Sequence, residues 1–560
     1  MENALFGYSG LVGSNLLTKY KFKYLYNSKN IQDAKYKSFD TIFICCIPAV
    51  KWFANKYPDI DLDNIENIKK ILKTISAKQI ILISTIDIYD NINNNSNENT
   101  IINYNNNHNY GKNRYLFENF IKEKFINYYI IRLPALFGKG LKKNIIYDLL
   151  NNNNIQQIST NTLFQWYNLE WLKNDIDICI NNKINECNLF TEPLETIDIL
   201  NLFNYDYSNN SNIFIKYDTQ TIYSSYFNSN NSNNSYINTN TNINNNTNIN
   251  NYIRDKKTVL NDIKKFIYYE KINNNIKYKL CVSNISNNSL TNKQYYTILK
   301  HYGLNYIEIA PTKFYDWDLL FTDNNNIKNI KNDTNALDLK ICSFQSITYN
   351  IINNIFDNNN IDLLNHCKKV IDLACNNEIK NLVFGCPKNR KILNNNDNNN
   401  DNNCYNNSNN ETIFINFMIE LGNYINNREL IISLENNSKH YNCNFLNTIN
   451  EVGNIILKIN HPKIKMMVDI GNCIMENDNI ENIFEYKDII FHIHISTPFM
   501  KPLTNEFYDN NIEKYKSFIN ILNIIGYDKI ISLEFLNNDL ENELKNLNES
   551  LYNFKNMFYI

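Results

Sequence analysis

The sequence predicts an α/β protein of two domains: an N-terminal doubly wound parallel sheet followed by a C-terminal (β/α)8 barrel. Three observations predict it. At 560 residues the chain exceeds what one hydrophobic core usually organises. In both halves short apolar runs alternate with helix-patterned stretches, which is the signature of parallel strands joined by crossover helices. In the C-terminal half, four of those runs end at an ionisable residue: Glu435 after LIISL, Asp469 after IKMMV, His494 in IIFHIH and Glu534 after KIISL. Burying such a group is costly unless it is paired or bound to a cation. The C-terminal ends of barrel strands are also where active residues converge.

Composition narrows the function classes. A net charge of -2 gives no strong field toward nucleic acid or an anionic membrane, so neither is expected as a partner. No apolar run approaches the roughly 20 residues of a spanning helix, and a strand begins almost at the N-terminus, so no targeting segment is expected. The chain reads as cytoplasmic. Its twelve cysteines form no CxxC pair. Cys45, Cys46, Cys281 and Cys342 sit in strand-like runs and read as small, reduced core residues. Asn-rich tracts cannot build a core. They mark an insertion at about 228–251 in the first domain and a loop at about 394–410 in the second.

The first domain, 1–271, opens with the strand ALF and the turn GYSGLVGSNLL. Gly7, Gly10 and Gly13 are spaced to let the backbone turn tightly and approach a pyrophosphate. The second strand, KYLYN, leads into Asn27-Ser28-Lys29, without an acidic residue to hold a ribose. DTIFICC follows at once, and the stretch from Ala54 to Asn64 is expected to start a long helix. ILISTIDIYD carries Ser84-Thr85, Tyr110 lies in NYGKNRYLFE, and FINYYIIRLPALFGKG is a further strand. The helix NYIRDKKTVLNDIKKFIYYEK closes the domain.

These features resemble the extended short-chain dehydrogenase/reductase family of NAD-dependent sugar epimerases and dehydratases. The resemblance implies a Rossmann-like domain with NAD or NADP at Gly7, Gly10 and Gly13. It makes Thr85 the substrate-orienting hydroxyl and Tyr110 the acid/base. The family's Lys, four residues after the Tyr, is here Arg114, which keeps the charge but not its geometry. Lys112 falls on the wrong side of the helix. The family's additional helix and strand before DTIFICC are missing as well. Two readings stay open, a dinucleotide-linked action on a nucleotide-sugar and a relict scaffold.

The second domain, 276–560, supplies eight strand candidates: YKLCVSNI, YIEIAP, LKICSFQS, NLVFGCP, LIISLEN, IKMMVDIG, IIFHIHIS and IISLEF. Glu435, Asp469, His494 and Glu534 then close strands five to eight. Glu308 lies within strand two and Gln345 near the end of strand three. Three carboxylates and an imidazole without a thiolate favour one divalent Mn, Mg, Co or Zn ion. His492 and His494 point the same way on their strand. His494 is nearer the end and reads as the ligand, and His492 as its buried neighbour.

GLNYIEIAPTK, VFGCPKNR, SLEN, VDIGN, FHIHIS and SLEF resemble the xylose isomerase-like barrels of sugar phosphate isomerases and epimerases. The resemblance implies one metal on the four residues, with Glu435 and Glu534 as opposed acid/bases either side of an enediolate. Asn472 replaces a substrate-binding His found in many epimerases of that group. Lys313, Lys388 and Arg390, just past strand ends, are candidates to hold a phosphate or nucleotide diphosphate. Endonuclease IV-type barrels share the fold, but they gather several metals on many histidines. Here only two stand on a barrel strand, and the charge is near neutral. The expected partner is a sugar or nucleotide-sugar, and homo-oligomerisation is left open.

Overall fold

The computed structural model describes residues 2–90, 95–203, 215–228, 251–273, 277–323, 325–357, 360–392 and 407–558. The chain divides into two compact units, Met1–Asn275 and Ile276–Ile560. The expected insertion at 228–251 lies outside the described residues except at its two ends, and so does the expected loop up to residue 406. Residues 407–410 are not loop. They open the helix Asn407–Ile425, whose apolar continuation TIFINFMIELG supplies a face to bury.

In the first unit six parallel strands form one sheet. They are β1 (Ala4–Phe6), β2 (Tyr24–Tyr26), β3 (Ser38–Ile44), β4 (Ser76–Thr85), β5 (Tyr128–Leu133) and β6 (Glu186–Asn188), in spatial order β2-β1-β3-β4-β5-β6. The order reverses beside β1, where α1 (Leu11–Leu17) follows the glycine turn. α2 (Lys51–Lys56) and α3 (Pro58–Lys73) replace the single helix expected from Ala54. Pro58 can only begin a helix, so the chain breaks at Tyr57. α4 (Asn109–Lys124) carries Tyr110. Side-chain alternation along the strands feeds two faces. Phe6, Ile42, Ile44, Ile80 and Leu82 pack with Ile65, Ile68 and Leu72 of α3 and Phe117 and Ile121 of α4. On the opposite face Phe43 meets the rings of Tyr20 and Phe22. Only a 3-10 turn, Ile31–Ala34, separates β2 from β3.

The second unit is a closed eight-stranded barrel. Its strands are β7 (Lys279–Ser283), β8 (Tyr306–Ile309), β9 (Lys340–Phe344), β10 (Asn381–Phe384), β11 (Ile431–Glu435), β12 (Ile464–Asp469), β13 (Ile490–Ile495) and β14 (Ile530–Leu533). Every pairing is parallel, and β14 returns to β7. All eight fall on the runs read from the sequence. Register then fixes the site: Asp469 stands opposite His494, and His494 opposite Ser532, one strand over each time. Among the described residues no helix is long and apolar enough to cross a membrane.

Candidate active site at the barrel rim

Glu435 and Asp469 are the last residues of β11 and β12, His494 is next to last in β13, and Glu534 lies one past β14. The Glu534 N–H still donates to Ile495 O at 2.9 Å, so the strand geometry holds to that point. One ligand atom from each of the four lies within 4.8 Å of the others, and all four residues are buried. His494 Nδ1 sits 3.1 Å from Glu534 Oε2 and 3.9 Å from Glu435 Oε1.

Like charges in a dry site raise one another's pKa. Burial, and then the Glu534 charge, push the Glu435 carboxyl up to about 8, with His494 pulling the other way. Burial and Glu534 also take Asp469 up to about 6, against His494, the Asn472 N–H and the Ser496 hydroxyl. Burial draws His494 down, but Glu308 and Glu534 outweigh it and hold it well above the usual range. Among the described residues no Lys or Arg is ion-paired to these three carboxylates. The donor set is hard oxygen plus imidazole, with surplus negative charge, and it fits a divalent cation.

Residues beyond the quartet build this site. Glu308 lies beneath the quartet, fully buried, with His492 Nε2 at 2.9 Å and His494 Nε2 at 2.8 Å. Neither ring N–H is aligned for a good hydrogen bond, and burial lowers the His492 imidazole despite the Glu308 charge. Ser343 donates its hydroxyl to Glu308. The two imidazoles overcome burial and hold the Glu308 carboxyl far below its usual range. Asp469 Oδ1 accepts from Asn472 N–H and Ser496 O–H, both at 2.7 Å. Asn437 Nδ2 donates to Glu435 Oε2 at 3.2 Å. Gly385 lies against Glu435 and Gly471 against Ser496, and a Cβ at either would collide with that side chain. Glu308 could be read as a polar interruption of an apolar strand. The glycines carry no such signal, because their role is the space beside them.

A cavity of about 900 Å³ opens over the quartet, lined by Glu435, Asp469, Glu534, Asn437, Asn472 and Tyr441 at one end. Burial and then the charges of Asp469, Glu534 and Glu435 raise the Tyr441 phenol, which stays protonated and able to donate. Asn472 does line the cavity, but its amide donates to Asn436 O at 2.8 Å. Four lining residues, Ser346, Asn350, Cys386 and Met500, adopt left-handed backbone with φ between 51° and 64°. Such strain in non-glycine residues clusters at functional sites. Of the three cations expected to grip a phosphate, only Lys388 lines the cavity. Arg390 is fully buried outside the lining, with Nη2 3.5 Å from Leu446 O, though its charge still pulls the Glu435 carboxyl down, and Lys313 reaches Asn288 at 3.2 Å.

In the first unit, Gly7 has φ +93° and no room for a Cβ beside Cys45, and Gly13 has none beside Gly7. Gly10 caps α1. Asn27, where a ribose-binding acid would stand, donates to the Tyr8 hydroxyl at 3.0 Å. Tyr110 is buried, and burial raises its phenol, opposed by Arg114 and a hydrogen bond with Thr85. Arg114 is committed elsewhere. Its guanidinium stacks 3.8 Å above the Tyr110 ring and forks onto buried Asp61, with Nη2–Oδ1 at 2.8 Å. Lys112 instead stands 6.0 Å over the Tyr104 ring. Lys51 ion-pairs with Asp87 at 2.6 Å and meets the Tyr217 hydroxyl at 2.9 Å.

Residues 297–556 match a family model described as a xylose isomerase-like TIM barrel, and the second unit is a barrel of that type. Among solved structures, the chain is similar to an apo 3-keto-D-glucoside 4-epimerase from E. coli, at 13% identity over 48% of this chain and 98% of that one, with a TM-score of 0.39. It is similar to a D-psicose 3-epimerase from Clostridium cellulolyticum H10, at 12% identity over 50% and 99%, with a TM-score of 0.40. It is also similar to a family 2 AP endonuclease from Brucella melitensis, at 12% identity over 46% and 93%, with a TM-score of 0.36. No curated protein matches the chain.

Proposed function

We propose that the barrel is a divalent-metal-dependent isomerase or epimerase of a sugar, working by proton transfer between carbon and carboxylate. The observation that carries the reading is the buried quartet with Glu435 and Glu534 both adjoining His494 Nδ1. The xylose isomerase-like match supports it. Glu435, Asp469, His494 and Glu534 would hold the cation, which would supply Lewis-acid stabilisation of negative charge developing on the substrate carbonyl.

The rest is the work of the chain's own residues. One of Glu435 and Glu534 accepts the proton from the carbon beside the carbonyl, leaving an enediolate. The other returns a proton to the opposite face, which inverts the centre, or to the neighbouring carbon, which moves the carbonyl. Tyr441 donates a hydrogen bond to a substrate hydroxyl. Asp469 is kept in place by Asn472 and Ser496 and serves as a ligand alone.

The test has two arms. Metal analysis of the purified full chain should find about one divalent ion per quartet. Solvent deuterium should enter ketose substrates and fail to enter with Glu534→Gln, whose kcat should fall by about 10²–10⁴. A metal-free protein with undisturbed exchange in that variant would end the proposal.

For the first unit we propose a dinucleotide-binding role at the Gly7–Gly13 turn without hydride chemistry, because Arg114 is spent on Asp61. Fluorescence titration with NADH and NADPH tests it. Absence of binding at millimolar concentration would leave the scaffold reading.

A further inference from the structure

We infer that the barrel site takes a neutral, two-ring ketose glycoside rather than a free or phosphorylated monosaccharide. This rests on the proposed proton-transfer function and adds the size and charge of the substrate. The first ring belongs at the quartet. The second belongs on a separate face of the same cavity, formed by Tyr349, Ile351 and Ile352 on the loop after β9.

The placement comes from topology. In a closed ring of eight strands, β9 is the third and β13 the seventh, so they stand on opposite sides of the mouth. From strand spacing and tilt that mouth is about 15 Å across. A cavity lined both by Gln345, next after β9, and by Ser496, next after β13, therefore spans it, while one pyranose ring fills less than half that distance. Its volume of about 900 Å³ lies near the top of the roughly 300–1,000 Å³ range of small-molecule pockets.

The chemistry of the far end agrees. Tyr349 is 58% exposed and Ile352 95% exposed. Large apolar side chains standing open in a polar enzyme mouth offer a surface for the C–H face of a sugar ring, as an aromatic platform does. The Trp317 indole N–H donates to Tyr349 O at 2.9 Å and steadies the loop at that point. Charge speaks against a phosphate. Among the described residues that line the cavity, Lys388 is the only Lys or Arg, against three carboxylates, whereas phosphate sites gather several donors or a guanidinium fork.

The experiment compares deuterium entry from D2O into four probes, using the Mn2+-loaded full chain: D-fructose, D-fructose 6-phosphate, and the ketose disaccharides isomaltulose and turanose. Saturation-transfer NMR in parallel reads contact of the second ring. Exchange should be fastest with a disaccharide. Tyr349→Ala and Ile352→Ser are at exposed positions, so folding should not suffer. Each should lower the disaccharide-to-fructose ratio of kcat/KM by about tenfold and weaken the second-ring signal. Exchange as fast with fructose or its phosphate, or an unchanged ratio in both variants, would overturn this inference while leaving the proton-transfer reading intact. Exchange with no probe at all would remove that reading and this one together.

Discussion

Replacing Glu435 by Gln should make the metal-free barrel more stable at pH 8. The Glu435 carboxyl is raised from 4.5 to about 8, so the folded state binds a proton that the unfolded chain has already released. A group raised in this way gives its full stability below pH 4.5 and loses it as pH climbs to about 8. Each pH unit inside that window costs up to about 1.4 kcal/mol, so about 4–5 kcal/mol disappears across it. Asp469, raised from 3.8 to about 6, adds a loss of the same sign at lower pH. Gln removes the Glu435 part. Its amide oxygen can still accept from Asn437 Nδ2, now bonded at 3.2 Å, while an imperfectly placed NH2 costs about 1 kcal/mol. The net gain is about 3 kcal/mol at pH 8 and close to nothing at pH 5. The assay is hydrogen exchange read on peptides from β11 to β14 after chelation, which keeps the first unit's unfolding out of the measurement. Added Mn2+ should narrow the gap, since wild type gains about 2.7 kcal/mol at a hundred times Kd and the variant gains less. A chelated wild-type barrel equally stable at pH 5 and pH 8, with no flatter profile in Glu435→Gln, would refute the reasoning.

Three further outcomes follow from neighbouring residues. Glu308→Gln should weaken Mn2+ binding about 10–100-fold by calorimetry, because it withdraws the carboxylate 2.8 Å from His494 Nε2 that orients that ring. Unchanged affinity would make Glu308 structural only. Gly385→Ala should lower kcat sharply with a small change in barrel stability, because the new methyl displaces the Glu435 carboxylate. Wild-type kcat would show that Glu435 does not act from its present position. Asp61→Ala should cost about 3–5 kcal/mol in the first unit by leaving the Arg114 guanidinium buried and unpaired. Exchange in α3 and α4 should accelerate while barrel peptides stay as they were, and slow exchange in those helices would contradict the pair's importance.

The barrel was legible because its signals are local. A buried parallel strand is apolar nearly throughout, so an ionisable residue at its end stands out in one dimension. All eight strands and the four rim residues follow from that contrast. Residues that act through space were not legible. Glu308 belongs to β8, far in sequence from β13, and only closure of the ring sets its carboxylate against both histidines. Arg114 illustrates the opposite error. Its spacing from Tyr110 suggested a replacement for a lysine, but Asp61, on a different helix, claims the charge. Lys313, Lys388 and Arg390 looked alike as loop cations, and the fold sends only one of them to the cavity.

The sequence by itself determined the two-domain α/β plan, the order of strands along the chain, and which residue types stand at the barrel rim. It could do so because hydrophobic patterning and the cost of burying charge act residue by residue. Tertiary structure alone decided which atoms meet. The distance from His494 Nδ1 to Glu534, the space that Gly385 leaves for Glu435, and the open face of Tyr349 and Ile352 depend on register and ring closure. Those join residues from strands far apart in the chain, and no local pattern encodes their separation.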